Sequence, residues 1–325
     1  MAKPKVFVTR LIPAKGLDLI RDFCDVDIWL AKLPPPHEEI IQRVRDAQGI
    51  ISLLTDKIDA GVMDAEPRLK VVSNMAVGVD NVDVVAATAR KLPVGNTPGV
   101  LTDATADQTF ALLLAAARHV VEGEKFVRSG KWITWSPGLL LGADLVGATL
   151  GIIGFGRIGQ AVAKRAQGFD LRVIYHDPTA QPAFGASSVD LQALLRESDF
   201  VTLHVPLNPA THHLVDAGFL SKMKPTAILV NTSRGGVVDQ SSLYDALKSK
   251  RIFAAALDVT DPEPLAMDSP LLELENCLIV PHLGSASKHT RDMMSYLAAQ
   301  NLIAGLKGER LPNCVNPEVY ESDKF

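Results

Sequence analysis

Leu150-Gly151-Ile152-Ile153-Gly154-Phe155-Gly156-Arg157-Ile158-Gly159 decides the fold. It opens with a short apolar run of the kind that forms a buried strand. The glycines at 154, 156 and 159 then spell G-x-G-x-x-G, and a helical pattern follows directly. Glycine is common, so the pattern alone is weak. Between a strand and a helix it acquires a physical meaning. Gly154 permits the tight turn, Gly156 lets the backbone approach a pyrophosphate, and Gly159 lets helix and strand pack closely. The amides of Arg157 and Ile158 stand at a helix N-terminus, where the peptide dipoles favour anions. Asp177 follows Gly159 by 18 residues, at the end of a second strand-like run. A carboxylate there accepts hydrogen bonds from adenosine ribose hydroxyls. It also repels a 2′-phosphate, by about 4 kcal/mol for unit charges about 4 Å apart at an effective dielectric of about 20. NAD(H) is therefore the expected coenzyme, with NADP(H) tolerated.

Outward from this turn, short β-branched runs alternate with helical runs on both sides, the mark of parallel βα units. Strands are expected at 5–10, 25–30, 49–54 and 71–77, and helices at 14–23 and 36–47. Residues 102–122 read as one long helix, apolar almost all round between Phe110 and Ala117, and so buried on several sides. Such a helix suits either a core or a face shared between domains or subunits. An irregular segment with Trp132, Trp135 and Pro137 comes next. Beyond it, strands are expected at 149–155, 171–176, 200–205, 227–232, 252–259 and 277–280, with a last long helix at 288–307. The pattern gives an α/β protein of two parallel-sheet domains. Whether the final helix returns to the N-terminal half is not derivable from periodicity.

Composition narrows the class. The 325 residues are 47% hydrophobic and 22% charged, with a net charge of −4, as in ordinary globular chains. A mildly acidic chain without a dense basic run is a poor partner for nucleic acid or an anionic membrane. Cys24, Cys277 and Cys314 are odd in number and far apart, so neither a disulfide framework nor a zinc site is expected, and no metal. No apolar stretch reaches membrane-spanning length and the N-terminus has no leader pattern. A cytoplasmic protein is expected.

Three polar clusters end strands in the second half: Asn231-Thr232-Ser233-Arg234-Gly235-Gly236, Leu257-Asp258-Val259-Thr260-Asp261-Pro262-Glu263-Pro264, and Pro281-His282-Leu283-Gly284-Ser285-Ala286. Open α/β sheets bind ligands beyond the carboxyl ends of their strands. Each residue alone has an ordinary reading: Arg234 as a surface cation, Glu263 as a solvated acid, His282 as a satisfied histidine. Together, behind a dinucleotide turn, they point to chemistry.

These clusters, the Gly154–Gly159 turn and Val77-Gly78-Val79-Asp80-Asn81-Val82-Asp83 make the chain resemble the D-isomer-specific 2-hydroxyacid dehydrogenases over essentially its whole length. The spacings Arg234 to Glu263 (29 residues) and Glu263 to His282 (19 residues) fit that family. Within it the chain looks most like glyoxylate/hydroxypyruvate reductases. The resemblance implies a Rossmann NAD-binding domain (101–287) inserted into a flavodoxin-like substrate-binding domain (1–100 and 288–325), closing over a cleft. It implies a homodimer built on the coenzyme domains. By matching position it makes Arg234, Glu263 and His282 the catalytic set. It places Arg157, Ile158, Asp177, Pro206, Thr232, Asp258 and Gly284 at the coenzyme, with Thr109 toward its phosphates. It puts the amides of Val77 and Gly78 on a substrate carboxylate, with Ser285 and Arg291 on the substrate side.

The residue chemistry agrees. A 2-oxo acid presents a carboxylate beside a ketone, and the planar guanidinium of Arg234 can hold oxygens of both. His282 would give its proton to the ketone oxygen in reduction and remove one in oxidation. A neighbouring Glu263 carboxylate favours the imidazolium. Leu53 and Leu54 set an apolar wall near the carbon chain, which favours glyoxylate or hydroxypyruvate, and Trp132 or Trp135 is a further candidate to cap the pocket from a partner subunit. Two alternatives stand beside this reading: phosphite or 3-phosphoglycerate dehydrogenase, and an NAD-sensing corepressor-like binding protein. Val77 occupies the position where phosphite-oxidising relatives carry lysine. Corepressors usually add long tails, whereas the tail here, 319–325, is short.

Overall fold

A computed structural model describes residues 3–321, so residues 322–325 of the tail lie outside the described residues. The chain forms two compact units, Met1–Leu101 with Ser287–Phe325, and Thr102–Ala286.

The first unit holds strands β1 (Lys5–Val8), β2 (Asp25–Ile28), β3 (Gly49–Ser52), β4 (Val71–Asn74) and β5 (Val94–Gly95). All pair in parallel, in the order β2-β1-β3-β4-β5. This is the flavodoxin order, with its switch point between β1 and β3. Strands β3 and β4 are buried throughout, which explains their apolar or small-residue runs, broken only at Asn74, whose carboxamide is hydrogen-bonded. The C-terminal helix Lys288–Lys307 belongs to this unit. Ser73 Oγ donates to Ala298 O at 2.8 Å, and a Cβ on Gly16 would lie 2.1 Å from Ser295 O. Only glycine lets the helix Ala14–Phe23 approach that backbone so closely.

The second unit holds β6 (Thr149–Ile153), β7 (Arg172–His176), β8 (Ser187–Ser188), β9 (Phe200–Leu203), β10 (Ile228–Asn231), β11 (Ala254–Leu257) and β12 (Cys277–Ile279). The sheet is parallel, in the order β12-β11-β10-β9-β6-β7-β8. From β6 outward this is the doubly wound order of dinucleotide-binding folds, with its switch point between β6 and β9. Alternate residues fill two cores. Leu150, Ile152, Phe200 and Val230 pack with Phe110 and Leu113 of the helix Thr102–Ala117 and Val162 of Arg157–Ala166. Ile153, Val201, Leu203 and Leu229 face the other side, against Leu194, Phe219 and Leu243.

The long helix expected at 102–122 breaks. It ends at Ala117, His119 takes φ 52°, and a second helix runs Val120–Arg128. The carbonyl of Ala117 accepts from Ala143 N at 2.8 Å instead of from the next turn. A tertiary partner thus replaces the helical one, and no local glycine or proline announces it. Seven short elements also escape the periodicity: the helices Ala60–Asp64 and Val84–Ala89, the two-residue strands β5 and β8, and the 3₁₀ turns Gly235–Val237, Pro270–Glu273 and Pro317–Tyr320. Among the described residues no helix is long and apolar enough to cross a membrane.

Candidate active site

The glycine turn has the geometry its spacing predicts. Gly154 has φ +86°, and a Cβ there would meet the carbonyl group of His204 at 2.7 Å. A Cβ on Gly159 would lie 2.3 Å from Gly154 O, whereas one on Gly156 would meet nothing within 4 Å. Gly156 therefore leaves the approach open ahead of the helix Arg157–Ala166. These features fit a pyrophosphate beside the helix N-terminus.

Asp177 follows β7 and faces the same turn. Its Oδ2 accepts from Phe155 N at 2.8 Å, and its Oδ1 from Thr179 N at 2.9 Å and Ala180 N at 3.0 Å. Burial works to raise this carboxyl, but the N–H donors of Thr179, Phe155 and Ala180 outweigh it and hold it below the usual carboxylate range. The group is thus a fixed anion at neutral pH.

Strands β10, β11 and β12 are adjacent, with Asn231 paired to Leu257 and Leu257 to Ile279. Their following loops leave from one edge, about 4.8 Å apart per strand. Arg234, Glu263 and His282 all lie on these loops. His282 Nδ1 is 2.6 Å from Glu263 Oε1, so the pair is in direct hydrogen-bond contact. The His282 backbone adopts φ 53°, and its N–H donates to Asp258 O at 2.8 Å. Asp258 is buried, with its oxygens accepting from Leu283 N at 2.6 Å and Gly284 N at 2.7 Å. Burial raises its carboxyl, against the lowering effect of those two N–H groups. Asp258 therefore folds the turn that carries His282, and Gly284 belongs to that same contact.

Asn231, which the sequence reading passed over, shapes the turn before Arg234. Its Oδ1 accepts from Ser233 N at 3.0 Å and its Nδ2 donates to Arg234 O at 2.9 Å. A Cβ on Gly235 would lie 2.0 Å from Thr260 O, so the arginine turn rests directly on the loop that leads to Glu263. An asparagine at a strand end followed by serine is the available signal for such a turn.

Thr109 Oγ1 donates to Thr105 O at 2.8 Å, which uses its one hydrogen. It also lies 2.9 Å from Thr232 Oγ1. Thr109 is fully buried, with its hydroxyl between Thr105 and Thr232. Pro206 follows β9, with its carbonyl accepting from Thr211 Oγ1 at 2.6 Å. Ser285 is buried on the His282 loop. Val77 and Gly78 lie in the first unit, beyond β4.

His204, directly after β9, is partly buried, but both ring nitrogens are shielded from solvent, and among the described residues neither has a partner. Burial pushes the imidazole down to about 3. Unfolding returns it to the ordinary value of about 6.5, so the unfolded chain binds the extra proton between those two limits. Stability should fall as pH drops through that window, by up to about 1.4 kcal/mol per pH unit from this residue. Urea unfolding of wild type and His204→Gln at pH 7, 6 and 5 should show a shallower loss in the variant. Identical slopes would contradict the assignment.

The fold and the glycine–aspartate site define an NAD(P)-dependent dehydrogenase. The model of the D-isomer specific 2-hydroxyacid dehydrogenase NAD binding domain matches residues 110–284. A glyoxylate reductase of Korarchaeum cryptofilum is 53% identical over 324 residues, covering 98% of each chain. One of Thermococcus litoralis is 48% identical over 328 residues, covering 98% of this chain and 99% of its own. The NADPH-dependent glyoxylate/hydroxypyruvate reductase of Sinorhizobium meliloti, solved with NADP and malonate, has TM-score 0.89 and 32% identity over the whole of both chains. A Thermus thermophilus structure has TM-score 0.92 and 50% identity, covering 96% of this chain and 99% of its own. The chain belongs to the D-isomer-specific 2-hydroxyacid dehydrogenase family.

Among the described residues no cluster of three or more His, Cys, Asp or Glu is arranged to hold a metal ion.

Proposed function

We propose that this enzyme reduces glyoxylate, and less readily hydroxypyruvate, to the 2-hydroxy acid with NADH. The observation that carries the reading is the 2.6 Å contact of His282 Nδ1 with Glu263, on the sheet edge that also carries Arg234. Bound along the Gly154–Gly159 turn, the reduced nicotinamide would supply the hydride. Glu263 holds Nδ1, which leaves Nε2 as the nitrogen that delivers a proton to the ketone oxygen. Arg234 binds the substrate carboxylate and carbonyl and stabilises the charge that develops on that oxygen. The amides of Val77 and Gly78 take the carboxylate, and Ser285 lines the substrate side. Arg157, Ile158, Asp177, Pro206, Thr232, Asp258 and Gly284 bind or shape the coenzyme site.

Support for the carboxylate role lies in peptide geometry. Ala76 O accepts from Thr97 N at 2.9 Å, and Val77 O from Asn96 Nδ2 at 2.8 Å. In a trans peptide the N–H points opposite its carbonyl. The N–H groups of Val77 and Gly78 therefore both point away from residues 96–97, and neither donates to any group among the described residues. Two consecutive free donors form a site for an anion.

Steady-state turnover of NADH with glyoxylate, hydroxypyruvate and pyruvate, and of NAD with phosphite, tests the function. Glyoxylate should give the highest kcat/KM. Phosphite oxidation above glyoxylate reduction, or no turnover of either, would refute it. Asp177 supports NADH over NADPH. Asp177→Ser should raise kcat/KM for NADPH relative to NADH by at least about tenfold, the equivalent of about 1.4 kcal/mol of lost repulsion. An unchanged coenzyme ratio would remove Asp177 from that role.

A homodimer is part of the proposal. Ile133 is 92% exposed, Trp135 76% and Leu141 69%, a concentration of large apolar side chains around the irregular segment. Trp132 and Trp135 are the residues to reach a partner's site. Light scattering that returns the mass of one chain would refute the dimer.

A further inference from the structure

Asn74 and Asn81 tie the two loops that leave β3 and β4, and every amide hydrogen of the pair has an acceptor. Asn81 Nδ2 donates to Leu53 O and to Asp56 O, each at 2.9 Å. Asn74 Nδ2 donates to Gly78 O and to Asn81 Oδ1, each at 3.0 Å. Ser52 Oγ closes the network on Asn74 Oδ1 at 3.0 Å. Ser52 and Asn74 are fully buried and paired in register across β3 and β4. Leu53 is pinned from its other side as well, because its N–H donates to the buried carboxylate of Asp56 at 2.7 Å.

The network therefore fixes a distance. On one side stand the outward N–H groups of Val77 and Gly78. On the other stands Leu53, the first of the two leucines expected to wall the substrate's carbon chain. Both loops are fastened to one carboxamide pair, so neither shifts without breaking a partly buried, fully satisfied set of hydrogen bonds. We infer that Asn81 is a specificity-determining positioning residue: it spaces the carboxylate-binding amides from the Leu53 wall and so limits the enzyme to short 2-oxo acids. This rests on the reading that the Val77 and Gly78 amides take the substrate carboxylate.

The fitting probe is Asn81→Asp, which keeps the side-chain shape but has no hydrogens for the carbonyls of Leu53 and Asp56. Oxygen then faces oxygen, and the Leu53 loop moves off the Val77–Gly78 loop. Wild type and variant are compared in kcat/KM for glyoxylate (two carbons), pyruvate (three) and 2-oxobutyrate (four), with NADH affinity measured by fluorescence titration. The ratio of glyoxylate to 2-oxobutyrate should fall by about tenfold or more, with KM for glyoxylate raised and NADH affinity unchanged. A ratio does not depend on the fraction of folded enzyme, so a purely structural role would lower all three values alike. That uniform fall, or no change, would overturn the inference. Should Asn81→Asp not fold, Ser52→Ala removes one bond of the same network and should shift the ratio in the same direction by a smaller factor; an unmoved ratio there would overturn it too. If wild type fails to reduce glyoxylate at all, the proposed function fails instead.

Discussion

Replacement of His282 by alanine is expected to lower kcat for glyoxylate reduction by a factor of about 10²–10⁴ while NADH binds as before. The loss follows from what each ring nitrogen does. Nδ1 is engaged by Glu263 at 2.6 Å, which orients the ring and leaves Nε2 as the proton donor. Without it the ketone oxygen must take its proton from water at the moment the hydride arrives. The proposed coenzyme contacts centre on the glycine turn, Asp177 and the end of β10, and the ties of Asp258 to the His282 loop run through backbone N–H groups, not the imidazole. Single-turnover kinetics with saturating NADH would separate the two effects. A kcat close to wild type would remove His282 from the role of acid. Weaker NADH binding with the chemical step intact would make it a coenzyme residue.

Arg234→Lys should cost a factor of about 10²–10³ in kcat/KM, close to the cost of Arg234→Met. Lysine keeps the charge but lacks the planar fork that engages carboxylate and carbonyl oxygens together. The surroundings also fix the backbone that carries this residue. Asn231 fixes its backbone carbonyl, and Gly235 lets the turn rest on Thr260. Affinity for oxamate, an unreactive 2-oxo acid analogue, should fall in parallel. An Arg234→Lys enzyme within about twofold of wild type would show that charge alone suffices, against the bidentate expectation.

Sequence and structure agree best where one physical rule acts locally. The turn at Gly154, Gly156 and Gly159 is readable because each glycine answers to a separate steric demand, and the structure exhibits two of them, at Gly154 and Gly159, with open space at Gly156. The helix Lys288–Lys307 is readable because Ser287 caps it and Gly308 ends it in a left-handed conformation. What it packs against is not readable. The bond from Ser73 to Ala298 spans 225 residues, and nothing in either segment names the other. His119 illustrates the same limit, since a carbonyl taken by Ala143 ends a helix whose apolar pattern continues. The site divides in the same way. Arg234, Glu263 and His282 are visible as chemistry-bearing types at strand ends, and the pairing of the last two is a fact of the fold. Asn231, Asn74 and Asn81 carry no signal of that chemical kind: an asparagine at or beyond a strand end looks like any turn former until its hydrogen-bond partners are known.

The central claim is that Arg234 and His282 act on one carbonyl oxygen beside the nicotinamide. A crystal structure of the enzyme with NADH and oxamate tests it most directly. The Arg234 guanidinium and His282 Nε2 should each lie about 2.7–3.1 Å from the oxamate carbonyl oxygen, with nicotinamide C4 facing the carbon that bears it. Oxamate bound with either side chain turned onto a separate surface, too remote to reach that oxygen, would contradict the account.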